Sequence, residues 1–588
     1  MLSPLLLALA CLPLQADSTA ADEKPSTGFP GMPIHHTPRV EIHWNRFYDY
    51  PEIYGLLDSL MEEWPDFVSM EVIGHSIENR EMRVYTINNP NTGRPDTKPA
   101  MWVDANVHGN EVQGAEVCVY LAWYLLENYD HNEEITELVD RSVFHILPMQ
   151  NPDGRANWFN GAHTPHSSRT GYQPTDNDRD GVADEDGPDD LNGDGNITRM
   201  RKYVPGEGTH RLDPDDRRIM IPVEPNDEGR KGDWIMLGQE GIDNDGDGRV
   251  NEDGQGGYDM NRAWPATWMP PHVQFGAGPY PLYWPETRCI ARYLYNHSNV
   301  AALQSFHNAG GMILRGPGAE VYGKYDRGDL RTYDELGADG EKMLPFYNYM
   351  ILWKDLYSVF GGFVNFGHES LGIISFTNEL WVNDRLYPDD PSMGRSGRQW
   401  FSDNLLMGEA FVDWKKAPEP HPIYGDIEIG GFKKDFGRVP PTFLIEEMLH
   451  RNALFCIKHA SAMPLVSVEK FEVTDLGDGL KAVDVTFRNN RIIPTRTGLA
   501  RDKKLGMPDI YELKGRGIQV LAGGFRTDRW HPEEIELAER DPARLLREAG
   551  IQGRSEVMVR WFVRGSGGVT VFWSGEKATN IDSVHDIP

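Results

Sequence analysis

The chain has 588 residues, of which 39% are hydrophobic and 11% aromatic, a composition that supports two or more folded domains and excludes a disordered chain. It carries 90 acidic and 58 basic residues, so its net charge is −32. Because nucleic acids are bound mainly through Lys and Arg contacts to phosphate, this charge argues against a nucleic-acid partner.

The first sixteen residues form a short apolar run and small residues follow, a pattern typical of a secretory signal, with cleavage expected after Ala16 or Ala20. The sequence therefore predicts a secreted or periplasmic protein. Residues 21–40 are rich in Pro, Gly, Ser and Thr and are predicted to be a linker. No other apolar run is long enough to cross a bilayer, so no membrane span is expected. The few cysteines, of which Cys11 would leave with the signal, do not suggest a disulfide framework.

Helical and strand patterns alternate from residue 41 onward, which favours an α/β domain with a mixed sheet over residues 41–417. The predicted helices cover 50–64, 112–127, 285–296, 340–358 and 402–415, and the predicted strands cover 68–73, 82–87, 100–107, 140–149, 299–306 and 373–380. Between 160 and 257 this pattern stops and Gly and Asp dominate. A segment of that length is too long for a simple loop, so it is predicted to be an insertion.

The remainder of the chain divides into two parts. Residues 418–464 are predicted to connect two domains and to contain a helix at 441–459. From 465 to 588 the pattern becomes one of short alternating strands, which predicts a C-terminal β-sandwich. The predicted strands of this domain cover 466–473, 481–487, 517–521, 555–563 and 568–573.

The predicted strand at 100–107 ends in the short motif His108-Gly-Asn-Glu111. This spacing brings an imidazole and a carboxylate close enough to bind one metal ion, and zinc prefers these ligand types. The motif alone is weak evidence, because a histidine and a glutamate occur at this spacing by chance in many long proteins.

Four later segments carry further candidate groups, and three of them also have a purely structural explanation. They are Asn151-Pro-Asp-Gly154, Asp259-Met-Asn261-Arg262, a strand that ends in His307, and Phe376-Thr-Asn-Glu379-Leu380. Asn-Pro-Asp-Gly is a common turn sequence, a histidine at a strand end is often a core residue, and a strand carboxylate often pairs with an arginine. Their order along one chain is the more specific signal.

These five motifs, taken together and in this order, resemble those of the zinc carboxypeptidases of the carboxypeptidase A type, with Met260 in place of a Leu. The resemblance covers about residues 41–415 and fits a secreted, bacterial-type member. It implies a mixed sheet of the eight-stranded type with flanking helices. It also implies that His108, Glu111 and His307 bind Zn²⁺.

The resemblance further implies that Glu379 is the general base and that Asn261 and Arg262 hold the terminal carboxylate of a peptide substrate. Tyr357, which precedes Gly361-Gly362, would cap the substrate. An arginine that stabilises the oxyanion is expected between the Asn-Pro-Asp-Gly turn and the Asn-Arg pair. Arg201, in Arg199-Met-Arg201-Lys202, is the preferred candidate.

Two positions bear on the substrate. Many relatives have an arginine where this chain has Asn110, so one substrate contact is expected to be missing. Val364, seven residues after Tyr357, stands at a position that lines the specificity pocket in relatives. An apolar residue there favours apolar C-terminal side chains.

Three segments of the insertion place oxygen-bearing side chains at alternate positions before a glycine, the pattern of a calcium-binding loop. The candidate ligands are Asp176, Asp178 and Asp180; Asp190, Asn192 and Asp194; and Asp243, Asp245 and Asp247. None of the three has the glutamate at the twelfth position or the flanking helices of an EF-hand. The alternative is a solvated acidic loop. If Ca²⁺ binds, we expect it to order the insertion and to place Arg201 and Asn261 at the cleft.

The sequence thus predicts a zinc-dependent carboxypeptidase that acts on peptide or protein C-termini. A zinc amide hydrolase that acts on cell-wall peptides or on an acylated amino acid is an alternative of the same fold. A second class of alternative is a non-catalytic binding protein that keeps this fold. A third is an adhesion or scaffold protein that uses the acidic loops and the β domain.

Overall fold

The computed structural model describes residues 34–176, 179–224, 231–254, 256–382, 397–527, 531 and 534–588. The predicted signal segment, the predicted linker up to residue 33, and Asp178 lie outside the described residues. Residues 34–40 of the predicted linker are packed against the domain, because Ile34 is buried and the backbone N–H of Val40 donates to Glu127 at 3.0 Å.

The helices and strands of the described chain are as follows. The helices are α1 (Tyr50–Glu63), α2 (Gln113–Asn128), α3 (Glu133–Arg141), α4 (Pro152–Phe159), α5 (Pro285–Asn296), α6 (Arg327–Met343), α7 (Phe363–Glu369), α8 (Gly397–Leu405), α9 (Ile445–Ser461) and α10 (Gly498–Lys503). The strands are β1 (Val68–His75), β2 (Glu81–Ile87), β3 (Ala100–Ala105), β4 (Val143–Leu147), β5 (Gly171–Gln173), β6 (Arg199–Gly208), β7 (His210–Leu212), β8 (Met220–Pro222), β9 (Gly232–Gln239), β10 (Gly256–Tyr258), β11 (Val300–Asn308), β12 (Met312–Arg315), β13 (Asn348–Ile351), β14 (Ile374–Leu380), β15 (Phe411–Lys416), β16 (Glu428–Phe432), β17 (Val466–Gly477), β18 (Leu480–Asn489), β19 (Asp509–Gly515), β20 (Gln519–Arg526), β21 (Ile535–Leu537), β22 (Arg544–Arg547), β23 (Glu556–Arg564), β24 (Gly567–Gly575) and β25 (Ala578–Ile587).

A mixed eight-stranded sheet forms the centre of the larger domain, in the order β1-β2-β4-β3-β11-β14-β12-β13. Its four middle strands, β4, β3, β11 and β14, run parallel. Helices cover both faces, so β3, β4 and β11 are buried along their whole length. The fold class is therefore the predicted one, an α/β domain with a mixed eight-stranded sheet.

The parallel strands place their carboxyl ends at one edge of this sheet. Loops that follow β3, β11 and β14 therefore meet there, and such an edge is where α/β proteins bind ligands. His108 follows β3, and His307 and Glu379 lie near the ends of β11 and β14.

Two predicted helices are wrong in their position. The helix expected at 340–358 ends at Met343, because Pro345 cannot continue it, and β13 and a short π-helix at Leu352–Leu356 follow. The helix expected at 402–415 ends at Leu405, and Met407 and Gly408 then adopt positive φ angles of 54° and 80° before β15. In each segment, the apolar residues that suggested a single helix belong partly to a helix and partly to the strand that follows it.

The insertion and the predicted connecting region are both more structured than expected. The insertion contributes β6 to β9 to a six-stranded sheet of order β15-β16-β6-β9-β7-β8, and the other two strands come from residues 411–432. Helix α9 packs against α2, and its residues belong to the main hydrophobic core. Residues 418–464 are therefore part of the larger domain and do not act as a simple connection.

The C-terminal residues form two packed antiparallel sheets, as predicted. Their orders are β17-β18-β23-β20-β21 and β22-β19-β24-β25, and residues such as Trp561 and Trp573 fill the space between them. Among the described residues, no helix has the length and apolar character needed to cross a bilayer.

Candidate active site

A cleft of about 400 Å³ opens at the carboxyl edge of the central sheet. It has a polar half, which contains the candidate metal ligands, and an apolar half. The residues that line it are His108, Glu111, His166, Arg169, Asn261, Arg262, His307, Asn308, Ala309, Met312, Leu314, Leu352, Leu356, Tyr357, Val359, Gly362, Val364, Thr377, Glu379 and Arg438.

The loop that carries His108 and Glu111 is held by buried polar groups. Asn106 has a positive φ of 58°, and its side-chain amide donates to the carbonyl oxygens of His108 at 2.7 Å and Gly109 at 3.1 Å. Gly109 leaves no room for a side chain, because a Cβ there would lie 2.2 Å from the carbonyl oxygen of Ser168. The loop is thus fixed before any ligand binds.

The Asn-Pro-Asp-Gly turn packs directly against this loop. Asn151 caps α4 by accepting a hydrogen bond from the backbone N–H of Gly154 at 2.8 Å. Arg155, which is fully buried in α4, donates to the carbonyl oxygen of Val112 at 2.8 Å and to Glu116 at 2.6 Å. The turn motif therefore has a structural role next to the candidate metal ligands.

His108, Glu111 and His307 converge in the polar half of the cleft. One ligand atom from each lies within 4.8 Å of the others, and all three residues are buried. The Nδ1 atoms of His108 and His307 each lie 3.0 Å from an oxygen of Glu111. Burial alone would raise the pKa of Glu111, but the two imidazoles hold that pKa well below its usual value. Two imidazoles and one carboxylate are a donor set that suits catalytic zinc.

Asp259 is a further residue of this cluster, and its role was not predicted from the sequence. Its Oδ1 lies 3.2 Å from Nε2 of His108 and accepts a hydrogen bond from the backbone N–H of Asn261 at 2.8 Å. A carboxylate on the outer nitrogen of a ligating histidine fixes the ring and its tautomer. Asp259 opens the Asp-Met-Asn-Arg motif, so the motif itself contained the signal.

Glu379 lies on β14, directly beside His307 on β11. The two residues are partners in the parallel register, and Glu379 is partly exposed at the cleft wall. Burial raises the pKa of Glu379 to about 7, and the nearby carboxylate of Glu111 adds to the increase.

Asn261, Arg262 and Tyr357 all line the cleft. Asn261 lies in a short 3₁₀ turn and accepts a hydrogen bond from the backbone N–H of Phe363 at 2.8 Å, while Arg262 donates to the carbonyl oxygen of Asn261 at 2.9 Å. Tyr357 is 52% exposed, so its ring is free of the packing that holds core tyrosines.

The apolar half of the cleft is a separate hydrophobic cluster. Its buried members are Leu314, Leu352, Val359 and Val364. Val364 is the second residue of α7, and only 5% of its surface is exposed. The structure therefore provides an apolar pocket beside the polar groups.

Arg201 does not line the cleft, which corrects the role expected for it from the sequence. It lies in β6, where its guanidinium is stacked between Trp234 and Trp414 at 4.4 and 4.3 Å and donates to Glu428 at 2.7 Å. These contacts give Arg201 a structural role in the small sheet. Calcium in the insertion would therefore not place this residue at the cleft.

Two other arginines occupy the polar half of the cleft. Arg169 Nη1 lies 2.8 Å from Oε1 of Glu111, and Arg438 Nη2 lies 3.4 Å from the same oxygen. Arg169 falls in the predicted interval between the two motifs, near the start of the insertion and before the first candidate calcium loop, so its position was a usable signal. Arg438 comes from the segment before α9 and had no sequence signal.

The acidic loops lie in the insertion, and none of their described residues lines the cleft. Asp176, Asp190 and Asp243 each accept hydrogen bonds from backbone N–H groups of their own loop. The carboxylates of Asp243, Asp245 and Asp247 lie within 4.8 Å of one another. Asp180 is exposed, as is Asp194, whereas Asn192 is half-buried.

A family model described as zinc carboxypeptidase matches residues 53–189 and 235–399, slightly more than half of the chain. The chain belongs to the zinc carboxypeptidase family. The match is interrupted between 190 and 234, where β6, β7 and β8 of the small sheet lie. Residues 465–583 match a second family model, described as a domain of unknown function.

Individual zinc carboxypeptidases match shorter stretches. Carboxypeptidase D of Rattus norvegicus is 33% identical over 144 residues, which are 24% of this chain and 10% of that protein. Carboxypeptidase A2 of Mus musculus is 34% identical over 115 residues, 20% of this chain and 26% of the relative. The chain thus matches only about a tenth to a quarter of the length of these relatives. Among solved structures, carboxypeptidase A from Helicoverpa armigera aligns with a TM-score of 0.44 and 16% identity over 72% of this chain and 75% of that one.

Proposed function

We propose that this protein is a zinc-dependent carboxypeptidase that removes residues from the C-termini of peptides. The observation that carries the proposal is that one cleft contains the His108–Glu111–His307 donor set, the Glu379 carboxylate and the Arg262 guanidinium. The first two features suit hydrolysis, and the third suits recognition of a free carboxylate.

The donor set fits zinc because its nitrogen and oxygen atoms are buried, converge, and are already held by Asn106 and Asp259. Bound zinc supplies a Lewis acid and a water molecule of lowered pKa. Glu379 is the proposed general base, which accepts a proton from the attacking water and passes it to the leaving amine.

Arg262 and Asn261 are the proposed site for the terminal carboxylate of the substrate. A guanidinium offers two parallel N–H donors to a carboxylate, which gives both affinity and orientation. Arg169, and not Arg201, is proposed to stabilise the oxyanion, because its charge lies next to the donor set. Tyr357, exposed at the cleft, is proposed to cover the bound residue.

The apolar half of the cleft is proposed to bind the terminal side chain. Leu314, Leu352, Val359 and Val364 offer it no charge or hydrogen-bonding group, so Leu or Phe would be preferred to Lys or Asp. Many relatives have an arginine where this chain has Asn110. We propose that Arg438 takes the place of that arginine, because it brings a positive charge to the same half of the cleft as Glu111.

The proposal is tested with two peptides of identical sequence that end in Leu, one with a free C-terminus and one with a C-terminal amide. Mass spectrometry is expected to show stepwise loss of residues from the free peptide only, and no loss after zinc is removed with a chelator. Equal cleavage of both peptides, or internal cleavage, would contradict a carboxypeptidase. Release from cell-wall peptides alone would favour the zinc amide hydrolase.

We also propose that the acidic insertion binds Ca²⁺, which prefers carboxylate and carbonyl oxygens. The convergence of Asp243, Asp245 and Asp247 supports this proposal. The test is calcium removal with zinc kept saturating, followed by limited proteolysis. Faster cleavage within 160–257 is expected, and an unchanged digestion pattern would overturn the proposal.

Export from the cytosol is likewise a proposal, supported by residues 1–20 and checked by N-terminal sequencing of the mature protein.

A further inference from the structure

The loop at 190–198 has a calcium-loop pattern that its own residues do not complete. Backbone N–H groups of Gly193 and Gly195 donate to the two oxygens of Asp190 at 2.9 and 2.8 Å, so the loop turns tightly around that carboxylate. Asn192 and Asp194 add side-chain oxygens. Ca²⁺ needs six to eight oxygens, and the twelfth position, where an EF-hand has a bidentate glutamate, holds Arg201 in this chain.

Glu240 lies across the open end of this loop. Its carbonyl oxygen accepts a hydrogen bond from the backbone N–H of Asp189 at 3.1 Å, and its own N–H donates to the carbonyl oxygen of Thr198 at 3.2 Å. Both ends of the loop are therefore bound to the backbone of one residue, which follows strand β9 and is distant in sequence.

The side chain of Glu240 is fully buried, and only one of its oxygens is satisfied. Oε1 accepts hydrogen bonds from the N–H and the hydroxyl of Thr198 at 2.6 and 2.7 Å. Oε2 is buried and has no hydrogen-bond partner. Buried carboxylate oxygens without a partner are rare, because the lost hydration is costly, and an ion is one of the few explanations.

The nearest charges make the case for a cation. The carboxylates of Asp194 and Asp190 are close enough to that of Glu240 to repel it, so all three groups share one region of negative potential. A divalent cation between them would satisfy Oε2 and neutralise most of this charge.

We propose that Glu240 completes a Ca²⁺ site in the loop at 190–198, with Asp190, Asn192 and Asp194 as the other side-chain ligands. This inference rests on the proposed binding of calcium by the insertion and adds the identity of the closing ligand. Because Thr198 precedes β6 and Glu240 follows β9, the ion would join the two central strands of the small sheet at one end.

The experiment uses the full chain, treated with a chelator, reloaded with zinc, and dialysed against radioactive Ca²⁺. Glu240→Gln keeps the shape of the side chain and removes its charge, and Glu207→Gln is the matched control, because Glu207 is an exposed glutamate of β6. Asp194→Asn is the second variant, since Asp194 is exposed and its substitution does not disturb packing.

Glu240→Gln and Asp194→Asn are each expected to weaken Ca²⁺ binding at the same site by about tenfold or more. The double variant, with both substitutions, is expected to lose no additional ion. Glu207→Gln is expected to bind Ca²⁺ like the wild type. If the wild type binds no Ca²⁺, both calcium proposals fail. If the wild type does bind Ca²⁺, and Glu240→Gln matches the control or loses a different ion from Asp194→Asn, only the assignment of Glu240 fails.

If Glu240→Gln does not fold, Glu240→Asp decides the assignment, because it keeps the negative charge and shortens the side chain. Glu240→Asp must then weaken the same Ca²⁺ site as Asp194→Asn. Zinc content and peptidase activity, measured separately, keep these outcomes apart from the peptidase proposal.

Discussion

His307 and Glu379 are register partners on the adjacent parallel strands β11 and β14. Neighbouring strands lie about 4.8 Å apart, and the side chains of register partners project from the same face. The candidate metal ligand and the candidate base are thus held at a fixed separation by the sheet itself. Rigid elements of this kind keep catalytic groups in place more accurately than loops do.

Glu379→Gln is expected to abolish most turnover without loss of zinc. Gln cannot accept the proton, and removal of a general base typically lowers kcat by about 10² to 10⁴-fold. The measurements are kcat on a peptide ending in Leu and zinc content per chain. Glu320→Gln, an exposed glutamate, is the control and is expected to match the wild type. Full activity in Glu379→Gln would remove this residue from the reaction.

Asp259→Asn is expected to weaken zinc binding through His108. The substitution replaces a charged acceptor at 3.2 Å from Nε2 by a neutral amide, and loss of such an outer partner costs about 10 to 100-fold in metal affinity. Zinc content is measured in competition with a chromogenic chelator. Asp413→Asn, at an exposed aspartate, should show no change. Wild-type affinity in Asp259→Asn would show that this carboxylate does not support the donor set.

Substitution by Met distinguishes the two arginines, Arg169 and Arg201, that are candidates for stabilising the oxyanion. Arg169→Met is expected to lower kcat/KM by about 10²-fold with unchanged thermal stability, because Arg169 lies beside Glu111 at the cleft. Arg201→Met is expected to lower stability by about 2 kcal/mol, because it loses the stacking on Trp234 and Trp414, and to leave kcat/KM of the folded protein unchanged. The opposite pattern would restore Arg201 as the candidate.

The sequence predicted the elements of the site better than their relative positions. His108 and Glu379 were found because each stands at or near the end of a strongly apolar run, which marks a buried strand. Their meeting with His307 depends on the strand order β3-β11-β14, and no local pattern encodes that pairing. The motif order supplied it through the family resemblance.

Of the missed residues, Asp259 and Arg169 lay in or near recognised motifs, whereas Arg438 reaches the site through long-range packing. Arg438 lies 327 residues after Glu111 in sequence, and the chain brings it to the cleft only because α9 returns to pack against α2. Arg201 was a reasonable candidate by position, but the two tryptophans that hold it are 33 and 213 residues away. In the insertion, the high Gly and Asp content concealed the strands β6 to β9, of which β6 pairs with β16.

Lys577 is expected to make stability depend on pH above neutrality. It extends from the C-terminal domain, where its ammonium donates to the carbonyl oxygens of Leu371 and Gly372 at 3.1 and 2.8 Å, and burial lowers its pKa to about 7. Glu576 and Asp329 favour the charged form, while Arg496 opposes it. The unfolded lysine titrates near pH 10.4, so between these values the unfolded chain binds more protons.

The free energy of unfolding should therefore rise from pH 7 towards pH 10, by up to about 1.4 kcal/mol per pH unit, and level off below pH 7. Denaturant unfolding at pH 7 and pH 9, followed by tryptophan fluorescence, measures this rise. Lys577→Met should remove it, while Lys324→Met, at an exposed lysine, should retain it. An identical rise in all three proteins would assign the effect to other groups.

Val364→Asp is expected to change the preference for the terminal residue. Val364 is buried in the apolar half of the cleft with Leu314 and Val359, so a carboxylate there would repel apolar side chains and attract a terminal Lys or Arg. The measurement is kcat/KM for a peptide that ends in Leu, divided by kcat/KM for the same peptide ending in Lys. This ratio should fall by at least about tenfold, because even one methylene in such a pocket is worth 1–3 kcal/mol. Val321→Asp, at a valine that is 73% exposed, introduces the same charge away from the cleft and should leave the ratio unchanged. A fall in kcat/KM for both peptides by the same factor would indicate damage to the cleft and not a role for Val364 in specificity.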